Sequence, residues 1–167
     1  MNHKLANIAT LEAKKFYHGT TMGTESNLQP IANLFPSTPT WNLESWNNCW
    51  CAAFVYFCCI QAGLSLPVRY NNDSITSNFA GCIAWEQWAK LPEKSLWHTL
   101  DEKSFRPRIG DIVLFDKVFI DSECDHMGII VQYNQDSIMV SEGNYSNVSA
   151  IVKRFLDDHI RGFVRLE

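Results

Sequence analysis

The stretch WCAAFVYFCCIQAG, residues 50–63, decides how the chain is read. Ala52, Ala53 and Gln61 favour helix, and Gly63 suits a C-terminal cap. The run is apolar nearly all round, which marks a helix buried in a core. The pattern predicts a helix over 50–62, with Asn47 or Asn48 available to cap its start. Cys51 falls in the first turn. Unpaired backbone N–H groups and the helix dipole there favour thiolate over thiol, and the same N–H groups can donate to an oxyanion. A buried cysteine that only fills space is the alternative, and the helix by itself does not separate the two.

Outward from this helix the chain reads as α+β. Residues 3–18 carry Leu5, Ile8 and Leu11 at helical spacing, with Gly19 as a stop. Residues 19–40 are rich in Thr, Ser, Pro and Gly and read as loop, with one turn near 31–34. Residues 67–81 read as polar loop, and 82–90 as a short helix with Trp85 and Trp88 on one face. Strands are expected at 112–115, 126–134 and 137–144. The last two form a hairpin through Asn134-Gln135-Asp136. A final strand is expected at 161–166, with 149–155 as its candidate partner. Helices first and an antiparallel meander after them is an α+β layout.

The bulk properties narrow the function. A chain of 167 residues fits one domain and needs no metal or disulfide to fold. Net charge is −4 and scattered, so neither nucleic acid nor an anionic membrane is an electrostatic partner. No stretch approaches the roughly 18 consecutive apolar residues of a spanning helix. The N-terminus reads as an amphipathic helix and lacks the apolar core of a signal peptide. A cytosolic protein, export by another route, and a domain cut from a longer chain all fit. The six cysteines, at 49, 51, 58, 59, 82 and 124, give C-x-C and C-C as their close pairs. Structural zinc sites use wider pairs, so no metal and no cofactor is expected.

Three further residues bear on Cys51. His126 opens a strand, and Gly128, two residues on, leaves room beside its imidazole. A histidine at a strand end facing a helix N-terminus can pair with a thiolate as general base. Glu142 and Asn144 lie two apart at the end of the next strand, with residue 142 close to opposite 128 in the hairpin. Either can accept from one ring nitrogen of His126 and leave the other for the cysteine. Taken singly, a surface histidine and an EGN turn explain these residues equally well. Together they form a nucleophile, base and orienter set.

The blocks WCAAFVYFCCIQAG, RPRIGDIVLFD, DHMGIIVQY and SEGNYSN, in that order, resemble CHAP domains, the cysteine- and histidine-dependent amidohydrolase/peptidases of the NlpC/P60 superfamily. The resemblance covers about residues 41–166. It implies a papain-like fold in which a cysteine-bearing helix packs on an antiparallel sheet. It also implies a single catalytic domain over 1–167, with residues 1–40 as an N-terminal extension. Cys51 matches the family nucleophile, His126 the base, and Glu142 and Asn144 the remaining members. The implied substrate is peptidoglycan or another peptide-like amide, cut at the muramoyl-L-alanine bond or within stem or bridge peptides. No nucleic acid, membrane, metal or cofactor is called for, and a monomer is expected. A toxin effector with an immunity protein, a phage lysin with a targeting domain, an intracellular small-molecule amidase and a catalytically inactive binding module are the rival readings. A bacterial or phage origin would place the action on the cell wall after non-classical export or lysis.

Two features depart from the family pattern: the second thiol at Cys49, either inert or a redox lock, and the first forty residues. Trp46, Trp50, Trp85 and Tyr145 are candidate groove walls, with core packing the competing role. Asn47 or Asn48 is a candidate oxyanion donor as well as a cap.

Overall fold

The computed structural model describes residues 2–20, 24–37 and 49–166. Four helices come first: α1 Asn2–Ala13, α2 Gln29–Ala32, α3 Cys51–Gln61 and α4 Cys82–Ala89. Six strands follow: β1 Trp97–His98, β2 Ile112–Phe115, β3 His126–Tyr133, β4 Ser137–Tyr145, β5 Val148–Phe155 and β6 Ile160–Val164. All pair antiparallel in one sheet of order β1-β6-β2-β3-β4-β5, so the fold is α+β as expected. No helix among the described residues is long and apolar enough to cross a membrane.

Helix α3 is the buried element that its composition requires. Every side chain from Cys51 to Cys59 is buried, and the helix lies against β3, β4 and α1. Its end follows the glycine rule. Gly63 adopts φ +89°, its N–H bonds Ile60 C=O, and the Leu64 N–H reaches back to Cys59 C=O. The N-cap position falls on Trp50, which makes no side-chain capping bond. Trp46, Asn47 and Asn48 lie outside the described residues, so the expectations placed on them are not addressed.

Helix α1 stops at Ala13, short of the expected Gly19. The reason is tertiary. Phe16 turns to φ +54°, and the chain then runs beside the start of β5, with Tyr17 and Ser149 exchanging hydrogen bonds of 2.9 and 2.8 Å. The Ser149 hydroxyl also donates to Ala13 C=O at 2.9 Å, and Ser141 donates to Ala9 C=O at 2.8 Å. Serines of β4 and β5 therefore tie the last turns of α1 to the sheet. Leu5, Ala9 and Ala13 join the same core as α3.

The pairing expected between 149–155 and 161–166 is not formed. Ser146 and Asn147 both sit at positive φ, 50° and 66°, and make a tight two-residue turn that folds β5 onto β4. Strand β6 instead crosses to β2, with Ile112 opposite Val164. A partly buried ion pair anchors it there: the Arg165 guanidinium donates to both oxygens of Asp111, at 3.0 and 2.6 Å. Asp111 is the acidic residue of the GDIV block and is fully buried. The two-residue strand β1, missed in the sequence, extends that edge.

Alternation along the central strands builds two cores. Met127 and Ile129 of β3 join α3 in the larger one, and Ile130 joins Val113, Phe115, Val140 and Phe163 in the smaller.

Candidate active site

Three elements converge at the N-terminal end of α3. The helix supplies Cys51 as its first residue, β3 supplies His126 as its first residue, and β4 supplies Glu142. The register places Glu142 directly opposite Gly128, so its carboxylate shares a face with His126 two residues earlier. The imidazole Nε2 is 2.8 Å from Glu142 Oε2. That contact leaves Nδ1 outside the carboxylate's reach, and the Cys51 thiol and His126 imidazole are near enough for each to favour the other's charged form.

The electrostatics follow from these contacts. The Cys51 thiol is held well below its ordinary value, first by a hydrogen bond from Cys82. Burial opposes this, while the His126 hydrogen bond and charge and the Ala52 backbone N–H reinforce it. For His126, burial works against protonation, but Cys51 and Glu142 outweigh it and raise the imidazole to about 9. Burial likewise opposes ionisation of Glu142, and Arg154 and His126 overcome it, so its carboxyl stays below the usual range. A thiolate facing an imidazolium, backed by a carboxylate, is the state these contacts favour. Such a set can attack an electrophilic carbonyl and return a proton to the leaving group.

Asn144 makes no hydrogen bond to His126. The β4–β5 register shifts between Glu142 and Tyr145, and Asn144 takes φ +61°, so the alternation that would aim it at His126 is broken. Its Oδ1 is buried with no hydrogen-bond partner. The room expected beside Gly128 is also absent. A Cβ there would lie 2.7 Å from Ser141 C=O and 2.9 Å from Glu142 Cγ, so the glycine lets β4 approach and brings Glu142 within reach.

Of the candidate groove walls, Trp50 and Trp85 are core residues at 1% and 0% exposure. Their indole N–H groups donate to Asn147 Oδ1 and Phe79 C=O. Tyr145 is partly exposed and packs edge-on against Phe119, whose ring lies 4.7 Å from that of His126. Phe119 was missed because it lies in a polar loop, 116–125. Asp125 braces that loop by accepting from the backbone N–H groups of Val118, Phe119 and Ile120 at 3.0, 2.7 and 3.1 Å.

Two more residues escaped sequence reasoning. Arg154 of β5 forms a fork on Glu142, and Cys82 at the start of α4 places its Sγ 3.6 Å from Cys51 Sγ. The only signal for Arg154 was its place on a strand paired with β4. Nothing in the sequence set Cys82 apart. Cys49 is exposed, and its thiol is pushed up by partial burial and the neighbouring Cys51. Cys58 and Cys59 are fully buried, and burial raises both thiols. Among the described residues, the metal-donor cluster is Asp157, Asp158 and His159, exposed in the turn between β5 and β6. Its histidine already pairs with both aspartates.

The CHAP domain family matches residues 43–144, more than half of the chain, and the chain belongs to that family. The matched segment holds Cys51, His126, Glu142 and Asn144; Arg154 lies beyond it. Comparison with curated proteins and with solved structures gives no match.

Proposed function

We propose that the protein is a cysteine amidohydrolase/peptidase that cleaves an amide bond of peptidoglycan, at the muramoyl-L-alanine linkage or in a stem or bridge peptide. The fold is read as the papain-like NlpC/P60 arrangement, one catalytic domain over 1–167 with α1 packed into it. The single observation that carries this reading is the His126–Glu142 contact, with Nε2 of the imidazole committed to the carboxylate and the same imidazole favouring the Cys51 thiolate. Membership of the CHAP family supports the same chemistry.

In this mechanism Cys51 Sγ attacks the carbonyl carbon as a thiolate. Backbone N–H groups in the first turn of α3 stabilise the oxyanion. His126 gives its proton to the leaving amine, and the acyl group stays on Cys51 as a thioester. Neutral His126 then draws a proton from water, which displaces the thiol. Glu142 holds the ring and stabilises its charged form. Asn144 is assigned no bond to the imidazole. Its unpaired Oδ1 is kept as a candidate contact to substrate.

Digestion of purified peptidoglycan of several chemotypes, with mass spectrometry of the released fragments, tests the proposal. Wild type should release fragments whose new termini name the bond, and Cys51→Ala should lose about a thousandfold or more of that activity. Equal release by both proteins would remove Cys51 from the mechanism.

A further inference from the structure

The hydrolytic mechanism uses one thiol, yet a second one lies against it. Cys82 Sγ is 3.6 Å from Cys51 Sγ, and the two side chains are 9% and 6% exposed. Cys82 is the first residue of α4, so the two sulfurs meet where two helices begin. Closing that gap to the roughly 2 Å of a disulfide requires small side-chain and helix-end shifts, not a rearranged fold. The pair is also selective. Cys58 and Cys59 sit on the same helix as Cys51 but are sealed at 0% exposure and carry raised thiols. Cys49 is exposed, and its thiol is pushed up by partial burial and by Cys51. Cys51 alone combines thiolate character with a sliver of surface, and Cys82 is the thiol in contact with it.

We propose that Cys82 is a resolving thiol, which captures Cys51 as a reversible disulfide when a hydroperoxide oxidises it. The proposal rests on the reading of Cys51 as a reactive thiolate. Cys51 Sγ attacks a peroxide oxygen, the O–O bond breaks, and the sulfur loses two electrons to give a sulfenic acid, with hydroxide or alkoxide leaving and taking a proton. Cys82 Sγ, surrendering its proton, then attacks Cys51 Sγ. The S–O bond breaks, water leaves, and the S–S bond forms. A dithiol reductant restores both thiols and is itself oxidised to a disulfide. The disulfide form has no nucleophile, and its sulfur is shielded from irreversible oxidation to sulfinic acid. Cys124, partly exposed and near enough to Cys82 to raise its thiol, is the competing partner.

The test is non-reducing peptide mapping of the full chain after a several-fold molar excess of hydrogen peroxide, with free thiols alkylated. Wild type should yield the Cys51–Cys82 cross-linked peptide, lighter by two hydrogens, and dithiothreitol should return both the thiols and the wall-hydrolysing activity. Cys82→Ser should instead accumulate sulfinic acid at Cys51 that dithiothreitol does not reverse. Sulfinic acid at Cys51 in wild type to the same extent as in Cys82→Ser overturns the inference. So does a Cys82–Cys124 disulfide with Cys51 free. The mapping does not depend on hydrolysis. A protein that forms the disulfide but cuts no wall fails the functional proposal alone. One that cuts through Cys51 but never forms the disulfide fails this inference alone.

Discussion

Arg154 forks onto Glu142: its Nε lies 2.8 Å from Oε1 and its Nη2 2.8 Å from Oε2, and Oε2 is also the oxygen that meets His126. The carboxylate is fully buried, so a cation on each side is what keeps it ionised. The guanidinium in turn lies over the rings of Phe115, Phe119 and Tyr145. Arg154 touches no reacting atom and acts through Glu142, so it is a positioning residue. Removing it leaves a buried charge half compensated. Arg154→Ala should lose roughly 3 kcal/mol of stability in urea titration. It should also move the basic limb of the activity profile, and Arg154→Lys should restore stability only in part, because a lysine cannot fork.

The pH profile follows from the two shifts. Below the depressed Cys51 value the thiolate is lost, and above about 9 the imidazolium is lost, so activity should hold across the range between them. As pH rises through about 9, leaving-group protonation fails and the rate falls. Glu142→Gln removes a contact that raises the imidazole, so its basic limb should move to lower pH in initial-rate measurements. The sign for stability is the same. His126 is raised from 6.5, so its contribution is full below that value and disappears as pH rises through about 9. Urea midpoints across pH measure it.

Gly128 tests how closely β4 must approach. A Cβ there would meet Val140 Cγ1 at 2.5 Å and the Ser141 carbonyl at 2.7 Å, and a backbone carbonyl cannot swing aside as a side-chain tip can. Gly128→Ala should cost about 2 kcal/mol in urea titration. It should also lower activity beyond the stability loss, because Glu142 Cγ is among the displaced atoms. Unchanged stability and rate would show that the strand shifts freely.

The loop that carries Phe119 is tied to the fold by Arg161. Its guanidinium reaches Glu86, Asp116 and Glu123 at 2.6, 3.1 and 3.1 Å. Glu86 is buried at 5% exposure and also holds Lys90, while Asp116 accepts from the Cys124 N–H at 2.6 Å. Arg161→Ala should lose roughly 3 kcal/mol, much of it from buried Glu86, which then keeps only Lys90. Hydrogen exchange should speed up in 116–125 before it does in the central strands.

Local signals made much of this legible. An all-round apolar run with a glycine stop gave α3 to within one residue at each end. Alternation and the Asn134-Gln135-Asp136 turn gave the β3–β4 hairpin and its register, which set Glu142 opposite Gly128. What sequence could not carry was pairing between distant strands. Strand β6 goes to β2, where Arg165 meets Asp111, and leaves β5 at the edge of the sheet. Asn144 fails the alternation rule at a bulge, and a bulge leaves no period to read. Arg154, Phe119 and Cys82 reach the site from segments 28, 7 and 44 residues from His126, and only tertiary structure brings them together.

The most direct measurement of the central claim is the alkylation rate of each cysteine across pH, resolved by peptide mass spectrometry in the reduced protein. The account predicts that Cys51 reacts first. Its rate should persist well below the ordinary thiol range, while Cys58 and Cys59 stay unmodified until the protein unfolds. A Cys51 that titrates like an ordinary thiol, or that reacts no faster than its buried neighbours on the same helix, would contradict the thiolate–imidazolium pair on which the proposed hydrolysis depends.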